Sequence, residues 1–216
     1  VGVFALASGV LALAPRKINT AKSENCPGAP TIATLNPFPV SWAGTTGSDC
    51  TDAPAIAIRP VSSSPGSYSS NVNAQGDEEF YVRIYVHNGA QQGLDYQQTT
   101  AYGVNGGINI SGGAISTSFT ASRGDGSGGF VPTNTVSGSA YVNLPAGATM
   151  ELVSGSEEFF DYQGNRIYGG NASLSGPSGS FDMGEMQACF EFSKFLRFRV
   201  KVVAQEPPPV QGDGQI

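Results

Sequence analysis

His87 is the one histidine in 216 residues, and it stands beside Asn88 at the end of an alternating apolar run, away from any nucleophile. A single imidazole leaves no second histidine for a zinc site and removes most acid–base dyads and triads. Its odd-numbered place in the run Glu79–His87 assigns it to an outer, solvated face. The dense acidic runs are Asp77-Glu78-Glu79 and Glu157-Glu158. Paired carboxylates are the chemistry of glycoside hydrolysis and of calcium binding, but carboxylates at a loop–strand junction are ordinarily solvated. Gly124-Asp125-Gly126-Ser127-Gly128-Gly129 matches G-x-G-x-x-G, and a dinucleotide site would need a helix next, which Phe130-Val131-Pro132-Thr133-Asn134-Thr135 cannot supply. Arg123-Gly124-Asp125 spells an adhesive tripeptide, expected as chance in a glycine-rich loop. The chain is therefore expected to be no enzyme, with no catalytic residue, no metal ligand and no cofactor.

Two further groups of residues offer covalent chemistry. Cys26 and Cys50 share one Pro- and Gly-rich segment, and closing that loop stabilises a fold by about 3 kcal/mol. A disulfide is expected, two buried thiols being the alternative that spacing alone leaves open. Cys189, beside Phe190, reads as a small buried hydrophobe. Asn109-Ile110-Ser111 and Asn171-Ala172-Ser173 are N-glycosylation sequons, which makes Asn109 and Asn171 candidate modification sites. Aromatics outside the apolar pattern, Trp42, Tyr81 and Tyr85 among them, suit either sugar stacking or a protein interface.

These residues must be positioned by strands. Gly 29 and Pro 14 make up about a fifth of the chain, while charged residues reach only 13 % against about a quarter in ordinary domains; bundles and coiled coils are excluded. With 11 Lys and Arg against 17 Asp and Glu, the net charge of -6 gives no dense positive field, so no nucleic-acid partner is expected. Phe80, Val82, Ile84 and Val86 alternate with Glu79, Tyr81, Arg83 and Tyr85. Phe190, Phe192, Leu196, Phe198, Val200 and Val202 share a face opposite Glu191, Ser193, Arg197, Arg199 and Lys201, with Lys194 the exception on the inner face. One buried and one solvated face per strand predicts an all-β fold of antiparallel sheets packed as a sandwich. Turns are expected at His87-Asn88-Gly89-Ala90, Asn105-Gly106-Gly107, Ser111-Gly112-Gly113, Leu144-Pro145-Ala146-Gly147, Gln163-Gly164-Asn165 and Gly176-Pro177-Ser178-Gly179.

The organisation reads as an apolar N-terminal segment at 1–17, a Pro-rich arm with the disulfide at 18–70, a β-sandwich domain at 71–204 and a Pro-rich tail at 205–216. Within the arm, Thr31–Leu35 and Ala55–Ile58 are β-like. Val1 to Ala14 carries no charge, and as a helix it would span about 21 Å, short of a ~30 Å hydrocarbon core. Val1, Val3, Phe4, Leu6, Val10, Leu11 and Leu13 are its candidate assembly residues, whether the segment is a strand inserted in a neighbour's sheet or a helix packed with copies of itself; the other alternative is the remnant of a secretory signal or anchor.

The run Gly76-Asp77-Glu78-Glu79-Phe80-Tyr81-Val82-Arg83-Ile84-Tyr85-Val86-His87-Asn88-Gly89-Ala90, the later Tyr141-Val142-Asn143-Leu144-Pro145 and the closing stretch from Ala188 to Val203 resemble β-sandwich repeat domains in secreted surface proteins of candidate-phyla bacteria. The resemblance covers about residues 70 to 204. It implies an immunoglobulin-like sandwich displayed outside the cell, with no catalytic residues to carry over. The expected function is that of a non-enzymatic extracellular structural protein, a subunit of a cell-surface filament or pilus-like polymer whose partners are other copies of itself. The alternative is a monomeric secreted adhesin or carbohydrate-binding module that recognises host or neighbour cell-surface glycans.

Overall fold

The computed structural model of the chain describes residues 26, 28–41, 50–91, 93–188 and 190–203. Its elements in chain order are β1 (Ile56–Pro60), β2 (Asn71–Asn73), β3 (Glu79–Val86), the one-turn helix α1 (Tyr96–Thr99), β4 (Ala101–Ser111), β5 (Ala114–Gly124), β6 (Phe130–Pro132) and β7 (Val136–Asn143). They continue with β8 (Thr149–Leu152), β9 (Glu158–Asp161), β10 (Arg166–Ile167), β11 (Asn171–Ser175), β12 (Ser178–Met186) and β13 (Lys194–Val203).

Two sheets face each other across one core. The first has the order β1-β3-β13-β9-β10, with β8 also on β13; the second has the order β11-β12-β4-β5-β7-β2, with β6 also on β5. The expected antiparallel pairing holds for every strand pair except β2 with β7, which run parallel. Period-two alternation decides which side chains meet. Ile58, Val82 and Phe198 form one cross-strand row of the first sheet, and all are fully buried. Phe181, Gly106 and Phe119 form a row of the second. A Cβ on Gly106 would lie 2.6 Å from both Phe119 and Phe181, so only glycine lets the two phenyl rings meet across it, 6.3 Å apart between centroids. This is why Asn105-Gly106-Gly107, expected as a turn, runs on as the middle of β4: packing between two phenylalanines outweighs the weak strand preference of glycine.

β1 coincides with the β-like piece Ala55–Ile58 inside the stretch 18–70 and is a full member of the first sheet, paired with β3 from Ile56 opposite Ile84 to Pro60 opposite Phe80. Of the other piece read as β-like, Thr31–Leu35, only Leu35 pairs, in an isolated bridge with Asn88. The last strand also starts later than its alternation suggests. Phe190–Phe192 is a 3₁₀ turn, and Phe190 leaves the main core for a small cluster with Cys26, Ala29 and Phe38. Lys194, the charged residue on the inner face, sends its ammonium group to the carbonyls of Met183 at 2.6 Å and Glu185 at 2.7 Å. It thereby ties the start of β13 in the first sheet to β12 in the second, and burial lowers its pKa.

Candidate functional site

The first constellation sits where β3 runs out. Cys26 and Cys50 are joined as a disulfide with their Cα atoms 5.3 Å apart, and the bond clamps the arm over the outer face of β3. Under the clamp lie Asp52 and His87, whose side chains are fully buried. Oδ1 of Asp52 lies 2.7 Å from Nδ1 of His87 and accepts from the Tyr85 hydroxyl at 3.3 Å, while Oδ2 accepts from the Phe38 backbone N–H at 2.8 Å. A carboxylate facing Nδ1 assigns the proton to that nitrogen, and Nε2 is left buried without a partner. The imidazole stacks on Phe190 at 3.9 Å between centroids and on Phe38 at 5.8 Å.

The outward parity expected of His87 is correct, but its exposure is not, since the arm covers this end of the face. Three contacts explain the seal. Asn36, at a φ of 42° that asparagine tolerates better than most residues, donates its backbone N–H to His87 O, accepts from His87 N–H and donates from its amide to Tyr85 O. Asn88 is also buried and donates to the carbonyls of Thr99 and Met186. Gly89 has Pro37 and Phe38 where a Cβ would stand, the Phe38 ring at 2.9 Å. His87 and Asp52 thus have the pairing of a catalytic dyad without access for a substrate, and what they do is hold the arm. Desolvation first, then the Asp52 carboxylate, pushes the Tyr85 phenol well above its ordinary pKa.

The second constellation is the rest of that outer face. Five of the seven arginines of the chain meet there: Arg59, Arg83, Arg166, Arg197 and Arg199. The register puts Arg59 opposite Tyr81 and Arg83 opposite Arg197. Guanidinium groups stack against rings along the row: Arg59 at 4.6 Å and Arg197 at 4.7 Å from Tyr81, Arg83 at 4.5 Å from Tyr68, and Arg197 at 4.6 Å from Phe160. Arg197 donates from Nε to Glu158 at 3.1 Å and Arg199 donates to Glu79 at 2.7 Å. Arg59 donates to the carbonyls of Pro60 and Ser63.

Arg59 and Arg83 each have an Nε that is buried without a partner, and none of the ion pairs among the described residues includes either; burial lowers the pKa of Arg83. Alternation alone assigns Arg83, Arg197 and Arg199 to this face. The like-charge pairing of Arg83 with Arg197 depends on the register between distant strands, and no local signal carries it.

The remaining candidates fall as follows. Glu79 and Glu158 are paired as described, and Glu78 caps Gln75 N–H at 2.8 Å. Among the described residues no group of three or more His, Cys, Asp or Glu is placed to hold a metal ion. Gly124–Gly129 is the connection between β5 and β6, closed by Asp125 accepting from the N–H groups of Ser127 and Gly129; those bonds lower the Asp125 pKa. Asn109 and Asn171 are exposed on β4 and β11. Tyr85 is buried and Tyr81 lies between two arginines, so neither ring offers a free face to a sugar. Val1, Val3, Phe4, Leu6, Val10, Leu11 and Leu13, together with Trp42, Cys189 and the tail 205–216, lie outside the described residues.

Comparison with known proteins finds no relative: no family model matches the sequence, and no curated protein and no solved structure is similar enough to count as a match.

Proposed function

We propose that the chain is a non-enzymatic extracellular structural protein, an immunoglobulin-like β-sandwich subunit that joins copies of itself into a cell-surface filament or pilus-like array. The observation that carries the reading is the sealed Asp52–His87 pair under the Cys26–Cys50 clasp. The chain's one imidazole is used to fix the arm on the sheet. A disulfide in that role suits an oxidising compartment, and a clamped two-sheet body suits a load-bearing part. The apolar segment Val1 to Ala14, which lies outside the described residues, would supply the link between copies, because ordering fourteen residues costs backbone entropy that a partner's hydrogen bonds or packing would offset.

Electron microscopy of the full chain beside a chain lacking residues 1–14 tests the reading. Filaments from the full chain and dispersed particles from the shortened one are expected. Filaments of equal length and abundance from both, or from neither, would overturn it. The alternative of a sugar-binding module loses the rings of Tyr81 and Tyr85, which other side chains cover, and keeps the exposed rings of Tyr96 and Tyr168.

A further inference from the structure

The outer face of the second sheet is built from short uncharged side chains. Strand register sets Ser173, Ser180, Gly107, Ser118 and Ser137 side by side across β11, β12, β4, β5 and β7, all of them exposed. The next row, from Ser175 on β11 to Ser139 on β7, holds hydroxyls and the Asn109 amide. Among the described residues the hydroxyls of these rows bond to one another only between Ser137 and Ser118, at 3.2 Å, so most of their donors and acceptors face solvent. Gly107 leaves a depression of about 570 Å³ in the middle, walled by Asn109, Ser116, Ser118, Ser137 and Ser139.

Nothing local asks for this composition. Glycine and asparagine are depleted in strands, and a protein surface ordinarily carries charge on about a quarter or more of its residues. Neither row contains a charged residue, and Asp182, in the row beyond, accepts from the Gly184 N–H at 2.7 Å. Sequences break local rules of this kind chiefly where function requires it. Large rings stand at both ends of the same face. Tyr141, 48 % exposed, pairs beside Ala114 at the start of β5, and Phe130, 60 % exposed, pairs beside Gly124 at its end. The length of β5 between them, Ala114 to Gly124, is about 33 Å. The carboxylates near Phe130 are already engaged, Asp125 with the N–H groups of Ser127 and Gly129 and Glu185 with the Tyr96 hydroxyl.

This chemistry selects the ligand. A nucleic acid needs cations, and a lipid surface needs an apolar or basic face. Protein interfaces are depleted in serine, and serine and threonine are under-represented among the residues that carry their affinity. A sugar chain fits on each count: it is uncharged, offers donors and acceptors to hydroxyls and amides, and lays its ring faces on aromatic rings. Short side chains also lose little freedom when it docks.

We propose that this face binds an extended, uncharged polysaccharide chain lying along β5, its hydroxyls meeting the Ser and Asn side chains around Gly107 and its ring faces resting on Tyr141 and Phe130. The site is independent of the self-assembly reading above, since it uses neither residues 1–14 nor the clasped end of β3.

Co-sedimentation with insoluble polysaccharides tests it, with cellulose, chitin and linear mannan as uncharged probes and carboxymethyl-cellulose as the charged one. The full chain is expected to sediment with at least one uncharged probe, above the amount that pellets alone. Binding should be equal at low and high salt, although the screening length falls from about 10 Å to about 3 Å. Gly107→Lys, which fills the depression, and Tyr141→Ser should each weaken binding at least about tenfold, the scale of losing one central contact. Both should melt as the unaltered chain does, because a Cβ at Gly107 has its nearest neighbour at 3.8 Å and the Tyr141 ring is exposed. Tyr168→Ser, beyond β10 on the first sheet, is the control and should bind as before. No sedimentation with any uncharged probe, binding that needs low salt or the charged probe, or loss with Tyr168→Ser but not with Gly107→Lys would overturn the proposal.

Discussion

Oδ1 of Asp52 meets Nδ1 of His87 at 2.7 Å with both side chains fully buried, and this pair welds the arm to the end of β3. The same carboxylate serves the Phe38 N–H and the Tyr85 hydroxyl, so its removal strands three donors at once. Asp52→Ala is expected to lower stability by about 3 to 5 kcal/mol, the range for breaking a buried pair. Asp52→Asn, which keeps one acceptor, should cost less. Urea denaturation of the two variants checks the order, and a loss below about 1 kcal/mol for Asp52→Ala would contradict the role.

Reduction of Cys26–Cys50 should act locally before it acts globally. The loop entropy released is about 3 kcal/mol, and the arm is held otherwise by the Asp52 network and the contacts of Asn36. Under reducing conditions the amide protons of Phe38 and Ser41, both bonded to Asp52, should exchange at least about tenfold faster, while that of Val82 in the first sheet should not change. Equal acceleration at all three would show that the clasp holds the whole sandwich.

Tyr85 sets an alkaline limit. Burial raises its folded pKa well above the ordinary value, so below about pH 10 the phenol is neutral in folded and unfolded chains alike and stability is unaffected. Above that pH the unfolded phenol ionises and the folded one does not, and stability falls as pH rises. By ultraviolet absorbance the ionisation of Tyr85 should appear only with unfolding. Tyr85→Phe should flatten the alkaline loss of stability, and an unchanged slope would refute the assignment.

Gly106→Ala should destabilise the second sheet by about 1 to 3 kcal/mol, the usual cost of overpacking, because the added methyl falls on Phe119 and Phe181. Gly107→Ala is the control, with 3.8 Å to its nearest neighbour. Thermal melts that rank the two in the other order would contradict the packing described for β4.

Much of this architecture is visible in residue order alone. The alternation in Glu79–Val86 and Leu196–Val202 identifies the two central strands of the first sheet and their buried faces, because one solvated and one buried side is a local pattern. The disulfide is also legible, from two cysteines in one loop-rich segment. What misleads is anything that depends on distant contact. Asn105-Gly106-Gly107 has the composition of a turn and is a strand because two phenylalanines from other strands close over it. His87 has outward parity and is buried because Asn36, Phe38 and Asp52 pack against it. Arg83 meets Arg197 through a strand pairing that spans more than a hundred residues of sequence.

The central claim is that copies of this chain associate, and sedimentation equilibrium of the full, unreduced chain tests it most directly. The chain mass is 22.3 kDa. The account predicts a weight-average mass that is a multiple of this value and rises with concentration, as open head-to-tail growth requires. A single species of 22.3 kDa at every concentration would contradict it.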